Sequence, residues 1–261
     1  MTAVDGADSV DAQVSAYRRD GYLLVRGALA PEETREFQEA LDAWTKRWTP
    51  TGDSYEAVLH QEHLVWRNDA VLSGLSRHAG LAALARRLSG LTTVRVYLDQ
   101  VLVKPVGGAP TIPHQDAPFL AFDDDRSLNC WVALDEVGPG NGALGYYQGS
   151  HALGRLPLAH LDEPDVLEVL VPELARYPVR VIPMSPGDVV FHNCLTVHRG
   201  FPNTTGRPRR AFAIQYMSPD AVYNGAENET LEPYAPVPGQ VLDFPCFADP
   251  YAEPDPIWAV G

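Results

Sequence analysis

After Gly90 the chain breaks into short β-prone runs separated by Gly, Pro and Asn, and this punctuation constrains its fold more than any other feature. Runs of that length bury one face each only when two layers pack together, so the pattern calls for an antiparallel sandwich or barrel. Residues 94–104 read as the first long strand, with Leu98, Gln100 and Leu102 on one face. A second strand begins near Ile112. A third, Leu128 to Leu134, puts Asn129, Trp131 and Ala133 on one face and Cys130, Val132 and Leu134 on the other. The Asn-Gly step within Pro139-Gly140-Asn141-Gly142 suits a tight hairpin after it. Pro186-Gly187-Asp188 turns into the strand Val189-Val190-Phe191-His192, and Ala211 to Met217 is the last strong strand. Ahead of that turn, His160 to Tyr177 reads as a helical or irregular excursion able to act as a lid.

The first ninety residues have a different texture. Helical period runs from Ser9 to Arg19, and Gly21 ends it before an apolar strand, Tyr22-Leu23-Leu24-Val25. Pro31 opens a second helix whose first turns carry Glu32, Glu33 and Glu36 at the positive end of the dipole. Phe37, Leu41 and Trp44 give it an apolar stripe. Residues 49–66 are irregular, with His60, His63 and Trp66, and Leu72 to Leu88 reads as a helix stopped by Gly90. We expect one domain over 1–261: a helical part over about 9–90, a β core over about 91–217 and a Pro-rich tail over about 218–261.

Thirty-four acidic against 20 basic residues leave a net charge of −14, with no basic cluster, which disfavours nucleic acid and anionic membranes as partners. Cys130, Cys194 and Cys246 are odd in number and show no paired metal-ligand spacing, so a reducing cytoplasm is the expected compartment. The start, Met1 to Asp8, has no basic-then-apolar pattern, and no run is apolar enough to span a bilayer.

Chemistry concentrates in Pro113-His114-Gln115-Asp116-Ala117-Pro118. In an extended strand His114 and Asp116 share a face while Gln115 points away. A two-His-one-carboxylate site needs a further imidazole, for which His198 is the candidate. His192 competes for that place but sits inside a strand run, where a hydrogen-bonded supporting role is commoner. On the last strand Arg209, Ala211, Ala213 and Gln215 share a small, polar face headed by a guanidinium, as a cavity for a small dicarboxylate requires. Arg209 and Arg210 read equally as solvated residues at a basic loop end.

Taken in order, His114-Gln115-Asp116, Gly187-Asp188-Val189-Val190-Phe191-His192, His198 and Arg209 resemble the phytanoyl-CoA dioxygenase family of Fe(II)- and 2-oxoglutarate-dependent oxygenases. The likeness extends through Asp20-Gly21-Tyr22, Gln100, Lys104-Pro105, Trp131-Val132-Ala133-Leu134-Asp135, Asn141-Gly142-Ala143-Leu144 and Gly149-Ser150-His151. The resemblance implies a mainly β fold with flanking helices around a double-stranded β-helix (jelly-roll, cupin-like) core. It implies Fe(II) on His114, Asp116 and His198, with 2-oxoglutarate and O2 as co-substrates. Arg209 would pair with the distal carboxylate, Gln100 and Trp131 would line the co-substrate pocket, and His151 and Asn141 would be structural. The intact Asp116 points to hydroxylation over halogenation, with cyclisation, epimerisation, desaturation or a non-catalytic binding role as alternatives. The expected substrate is a small molecule of specialised metabolism, met by Phe119 and Trp66, on a monomer or homodimer.

Overall fold

The computed structural model describes residues 10–47, 54–158 and 166–251, so the chain start, residues 159–165 of the expected lid and the last ten residues lie outside it. In chain order the elements are α1 Val10–Asp20, β1 Tyr22–Val25, α2 Pro31–Thr45, β2 His60–His63, α3 Ala70–Ser76, α4 Ala79–Ser89, β3 Arg95–Lys104, β4 Thr111–His114, β5 Leu128–Ala133, β6 Leu144–Tyr147, α5 Val166–Leu170, β7 Val179–Ile182, β8 Val189–Asn193, β9 His198–Gly200 and β10 Arg209–Met217. They build a six-stranded sheet, β1-β8-β5-β10-β3-β2, facing a four-stranded sheet, β4-β9-β6-β7. Every pairing is antiparallel, giving the jelly-roll core that the strand pattern calls for.

Period two sorts the large sheet's side chains. Cys130, Val132, Phe191, Phe212 and Ile214 pack outward against Phe37, Leu41, Leu72, Leu75 and Leu81 of the helices. The alternate residues Leu102, Trp131, Ala133, Ala211 and Ala213 turn inward toward Tyr146 and Ile182 of the small sheet. At about 25 cal/mol per Å2 of apolar surface, both layers gain by burial, and the small inward residues Ala211 and Ala213 leave space between the sheets. Helix starts follow their sequence signals: Pro31 stands at the first position of α2, and Glu33 accepts from the Ala30 amide at 2.9 Å.

Three expectations change. The helix read over Leu72 to Leu88 is two, α3 and α4, broken at Arg77 and His78, where the His78 ring accepts from the Leu81 amide at 3.2 Å. Both helices bury the same side, with Leu72, Leu75, Leu81 and Leu88 in one core, so apolar spacing runs across the break unseen. The irregular stretch contains β2, an edge strand paired to β3, whose His-Gln-Glu-His sequence lacks apolar alternation. Pro139 to Gly142 is a tight turn but no hairpin, because β5 and β6 belong to different sheets. Asn141 closes it, donating to Glu136 O at 2.7 Å and accepting from the Gly138 amide at 2.6 Å.

A buried acid in β3 yields a stability prediction. Asp99 is fully buried and accepts from Ser76 Oγ and, at 2.9 Å, from the Trp66 amide. Burial nevertheless pushes its pKa up to about 7, against those hydrogen bonds. A carboxyl whose folded-state pKa is raised stabilises fully below its unfolded pKa, near 3.9, and that contribution disappears as pH rises through the folded value. Thermal midpoints measured from pH 4 to 8 should therefore fall with pH in the wild type more steeply than in Asp99→Asn.

Candidate metal centre

β4 and β9 are neighbours in the small sheet, in a register that sets His114 opposite His198, with ring centroids 4.3 Å apart. Each ring turns Nδ1 to a main-chain carbonyl two residues upstream, His114 to Ile112 O at 2.8 Å and His198 to Thr196 O at 3.1 Å. A carbonyl only accepts, so Nδ1 carries the proton and Nε2 keeps a free lone pair. Asp116 arrives differently from the extended-strand expectation: β4 stops at His114, and Asp116 (φ −72°, ψ −35°) starts the short helical turn Ala117–Phe119. That turn swings its carboxylate to 3.7 Å from His198 Nε2. Gln115 locks the bend from outside, donating to Gly154 O (2.8 Å) and Leu195 O (2.7 Å) and accepting from the Leu156 amide (2.8 Å).

One ligand atom from each of His114, Asp116 and His198 lies within 4.8 Å of the others. Burial pushes both imidazoles below their ordinary range, His198 furthest because His114 and His192 adjoin it. Burial alone would raise Asp116, but His198, His192 and His114 around it hold its carboxyl well below the usual carboxylate range. Two neutral Nε2 atoms and one carboxylate are thus presented together, a donor set suited to Fe(II). His192, on β8, supports the carboxylate: its Nε2 is 3.0 Å from Asp116 Oδ2 and its Nδ1 3.1 Å from the Tyr146 hydroxyl. Tyr146 in turn stacks on Tyr22 at 4.7 Å.

A cavity of about 310 Å3 opens between the sheets beside these ligands. Its floor is cationic. β10 sits between β5 and β3, with Arg209 opposite Lys104, and both side chains are buried, 4 % and 1 % exposed. The Arg209 guanidinium lies 5.0 Å over the Trp131 ring, donates from Nη1 to Leu102 O at 3.4 Å and leaves Nε without a partner. Lys104 Nζ is 3.5 Å from Thr111 Oγ1. Burial lowers Arg209 to about 10, and burial with Arg209 alongside lowers Lys104 to about 7. Gly142, at φ +90°, permits this approach, since a Cβ there would meet Lys104 Cγ at 3.0 Å and Arg209 Nη2 at 3.2 Å. Among the described residues neither cation forms an ion pair, while Arg210, one residue on, turns to the outer face and pairs with Asp135 and Asp42. Two buried, unneutralised cations and an orphaned guanidinium N–H fit a dianionic carboxylate ligand.

Gln100 and Trp131 line this cavity, and Phe119, 44 % exposed, stands at its mouth edge-on to His114. Trp66 does not reach it. The chain passes from β2 under the large sheet, and Trp66, 8 % exposed, packs in the helix-side core, so it offers a substrate no surface. The described part of the excursion, 166–177, packs through Leu167 and Leu174 on Ile112 and Tyr147 and contributes no cavity residue. The C-terminal segment does, through Asn228 and Thr230. Lys104, Thr111 and Asn129 are lining residues that sequence reasoning assigned no role, although Lys104 continues the inward face of Leu98, Gln100 and Leu102.

Residues 17–211 match the phytanoyl-CoA dioxygenase family. The chain belongs to this family. A methylphosphonate hydroxylase of Gimesia maris is 27% identical over 227 residues, covering 79% of this chain and 80% of that one. The solved structure of SnoK, a non-heme alpha ketoglutarate dependent carbocyclase from nogalamycin biosynthesis, is 29% identical with a TM-score of 0.80 over 93% of this chain and 98% of its own. The epimerase SnoN, solved with Fe3+, alpha ketoglutarate and nogalamycin RO, is 26% identical with a TM-score of 0.77 over 91% of this chain and 97% of its own. This phytanoyl-CoA dioxygenase family member is an iron- and 2-oxoglutarate-dependent oxidoreductase. No helix among its described residues is long and apolar enough to cross a membrane.

Proposed function

We propose that the protein hydroxylates a small organic molecule of antibiotic-type metabolism, with 2-oxoglutarate converted to succinate and carbon dioxide. The carrying observation is the opposition, across one cavity, of the His114, Asp116 and His198 donor atoms to the buried Arg209 and Lys104. In this reading the three ligands hold iron, which supplies the redox chemistry coupling co-substrate decarboxylation to substrate oxidation. Arg209 and Lys104 hold the distal carboxylate in a desolvated floor, where charge-assisted bonds are strong. Trp131 flanks the guanidinium, Gln100 borders the co-substrate, and Phe119 covers the mouth on the substrate side. The net charge of −14 fits a small-molecule partner and not nucleic acid.

The carbocyclase and epimerase relatives favour a second reading, in which the same site redirects the oxidation to ring closure or epimerisation. Turnover under labelled O2 separates the two, because hydroxylation leaves one labelled oxygen in the product and cyclisation or epimerisation leaves none. A purified protein that binds neither Fe(II) nor 2-oxoglutarate would overturn both.

His192 has a measurable role here. With its bond to Asp116 Oδ2 removed in His192→Phe, the carboxylate loses its fixed orientation. Metal affinity, read by competition with a chelator, should fall roughly ten- to a hundredfold, the usual cost of losing a partner of a metal ligand.

A further inference from the structure

The cavity is layered by charge. Among the described residues, Lys104 and Arg209 on the floor are its only lining Lys or Arg. The segments outside the described residues, 1–9, 48–53, 159–165 and 252–261, contain neither Lys nor Arg. The rest of the lining carries neutral hydrogen-bonding groups, Gln61, Gln100, Asn228 and Thr230, among apolar side chains such as Leu59, Leu98 and Leu120. His63 joins them with its pKa pushed below the ordinary imidazole range by burial. The stretch carrying Asn228 and Thr230 also exposes Glu227, Glu229 and Glu232, and Glu229 acts on His63 electrostatically. Once a dicarboxylate occupies the floor, no lining Lys or Arg among the described residues is left to pair with a second anion.

Asn129 adds a directional signal. Ser127 Oγ donates its one proton to Tyr216 O at 2.6 Å, so it accepts from Gln215 Nε2 at 2.7 Å. That orients Gln215 Oε1 toward Asn129 Nδ2, 3.2 Å away. The relay fixes the Asn129 amide and leaves its Oδ1 buried on the cavity wall with no partner, opposite His192 in the sheet. Asn129 is only 5 % exposed. A desolvated carbonyl oxygen in that position repels an oxyanion and is satisfied by a hydroxyl or ammonium donor.

We propose that the primary substrate is an uncharged or cationic small molecule whose hydroxyl or amine donates to Asn129 Oδ1, and that phosphonates, phosphates and carboxylates are excluded from the substrate position. This rests on the oxygenase reading, and it separates the chain from its methylphosphonate-hydroxylating relative.

The full chain loaded with Mn(II) allows binding to be read without turnover. 2-Oxoglutarate is titrated first, by calorimetry; its failure to bind overturns the oxygenase reading and this inference with it. Methylphosphonate and inorganic phosphate are then titrated with and without saturating 2-oxoglutarate. Each should bind only in competition with 2-oxoglutarate, at least about a hundredfold more weakly to the loaded protein. Comparable affinity for the loaded protein, or succinate release stimulated by methylphosphonate in the iron enzyme, overturns this inference alone. In a screen of small molecules for stimulated succinate release, every activator should carry a hydroxyl or amine donor and no net negative charge; an anionic activator overturns the proposal. For such an activator, Asn129→Ala should raise KM about tenfold or more while the 2-oxoglutarate KM stays within about twofold. An unchanged activator KM in that variant, with native 2-oxoglutarate affinity, sinks the role of Asn129.

Discussion

Asp116→Ala is expected to eliminate substrate oxidation and to weaken Fe(II) binding far beyond the effect of any other single change. The substitution removes the one anionic member of the donor set and leaves two neutral imidazoles facing a divalent cation in a buried cavity. It also strands His192, whose Nε2 lies 3.0 Å from the lost carboxylate. The result is specific to the chemistry and not to folding, because Gln115, not Asp116, ties the bend to Gly154, Leu195 and Leu156. Chelator competition should show a loss of metal affinity exceeding the roughly hundredfold limit set for a supporting partner. Succinate formation should drop to the background of the metal-free protein while the thermal midpoint of that protein stays close to wild type. Retained turnover would remove Asp116 from the proposed donor set.

Arg209→Met should produce the second largest effect, on 2-oxoglutarate and not on the metal. The guanidinium is buried over Trp131 with an unpartnered Nε, and the variant leaves the distal carboxylate facing Lys104 alone. Truncating one side of a buried, hydrogen-bonded charge pair costs about 2–5 kcal/mol, so the 2-oxoglutarate KM should rise by about 1.5 to 3.5 orders of magnitude. Arg209→Lys should recover little, since an ammonium lacks the planar fork that matches a carboxylate. Lys104 adds a pH signature. Burial first and Arg209 second bring its pKa to about 7, so at pH 7 to 8 part of the free protein carries it neutral. A dicarboxylate favours the protonated form, so binding should take up protons there, and affinity should fall as pH rises through about 7. Calorimetry in buffers of different ionisation enthalpy measures that uptake. In Arg209→Met the Lys104 pKa should move back up and the uptake at pH 7 should shrink.

Residues that act through a local period are legible in the chain itself. Alternation along β10 puts Arg209, Ala213 and Gln215 on one face, and all three line the cavity. Alternation along β5 puts Asn129 and Trp131 inward and Cys130 and Val132 toward the helices. The bare pattern leaves Arg209 and Arg210 interchangeable as solvated charges, and only packing separates them, burying one under Trp131 and pairing the other with Asp135. Trp66 shows the opposite failure. An aromatic residue near irregular sequence reads equally as pocket wall or core, and the passage of the chain beneath the large sheet makes it core.

The sequence by itself determined the residue types of the centre and the two faces of the long strands β3, β5 and β10, because these follow from side-chain chemistry and from a backbone that repeats every two residues. The tertiary structure decided what meets what. Strand register set His114 beside His198 and Lys104 beside Arg209, a helical turn in place of an extended strand brought Asp116 to them, and sheet assignment turned an apparent hairpin into the crossing at Gly142. Pairing and loop closure join residues far apart along the chain, and no local period carries that information.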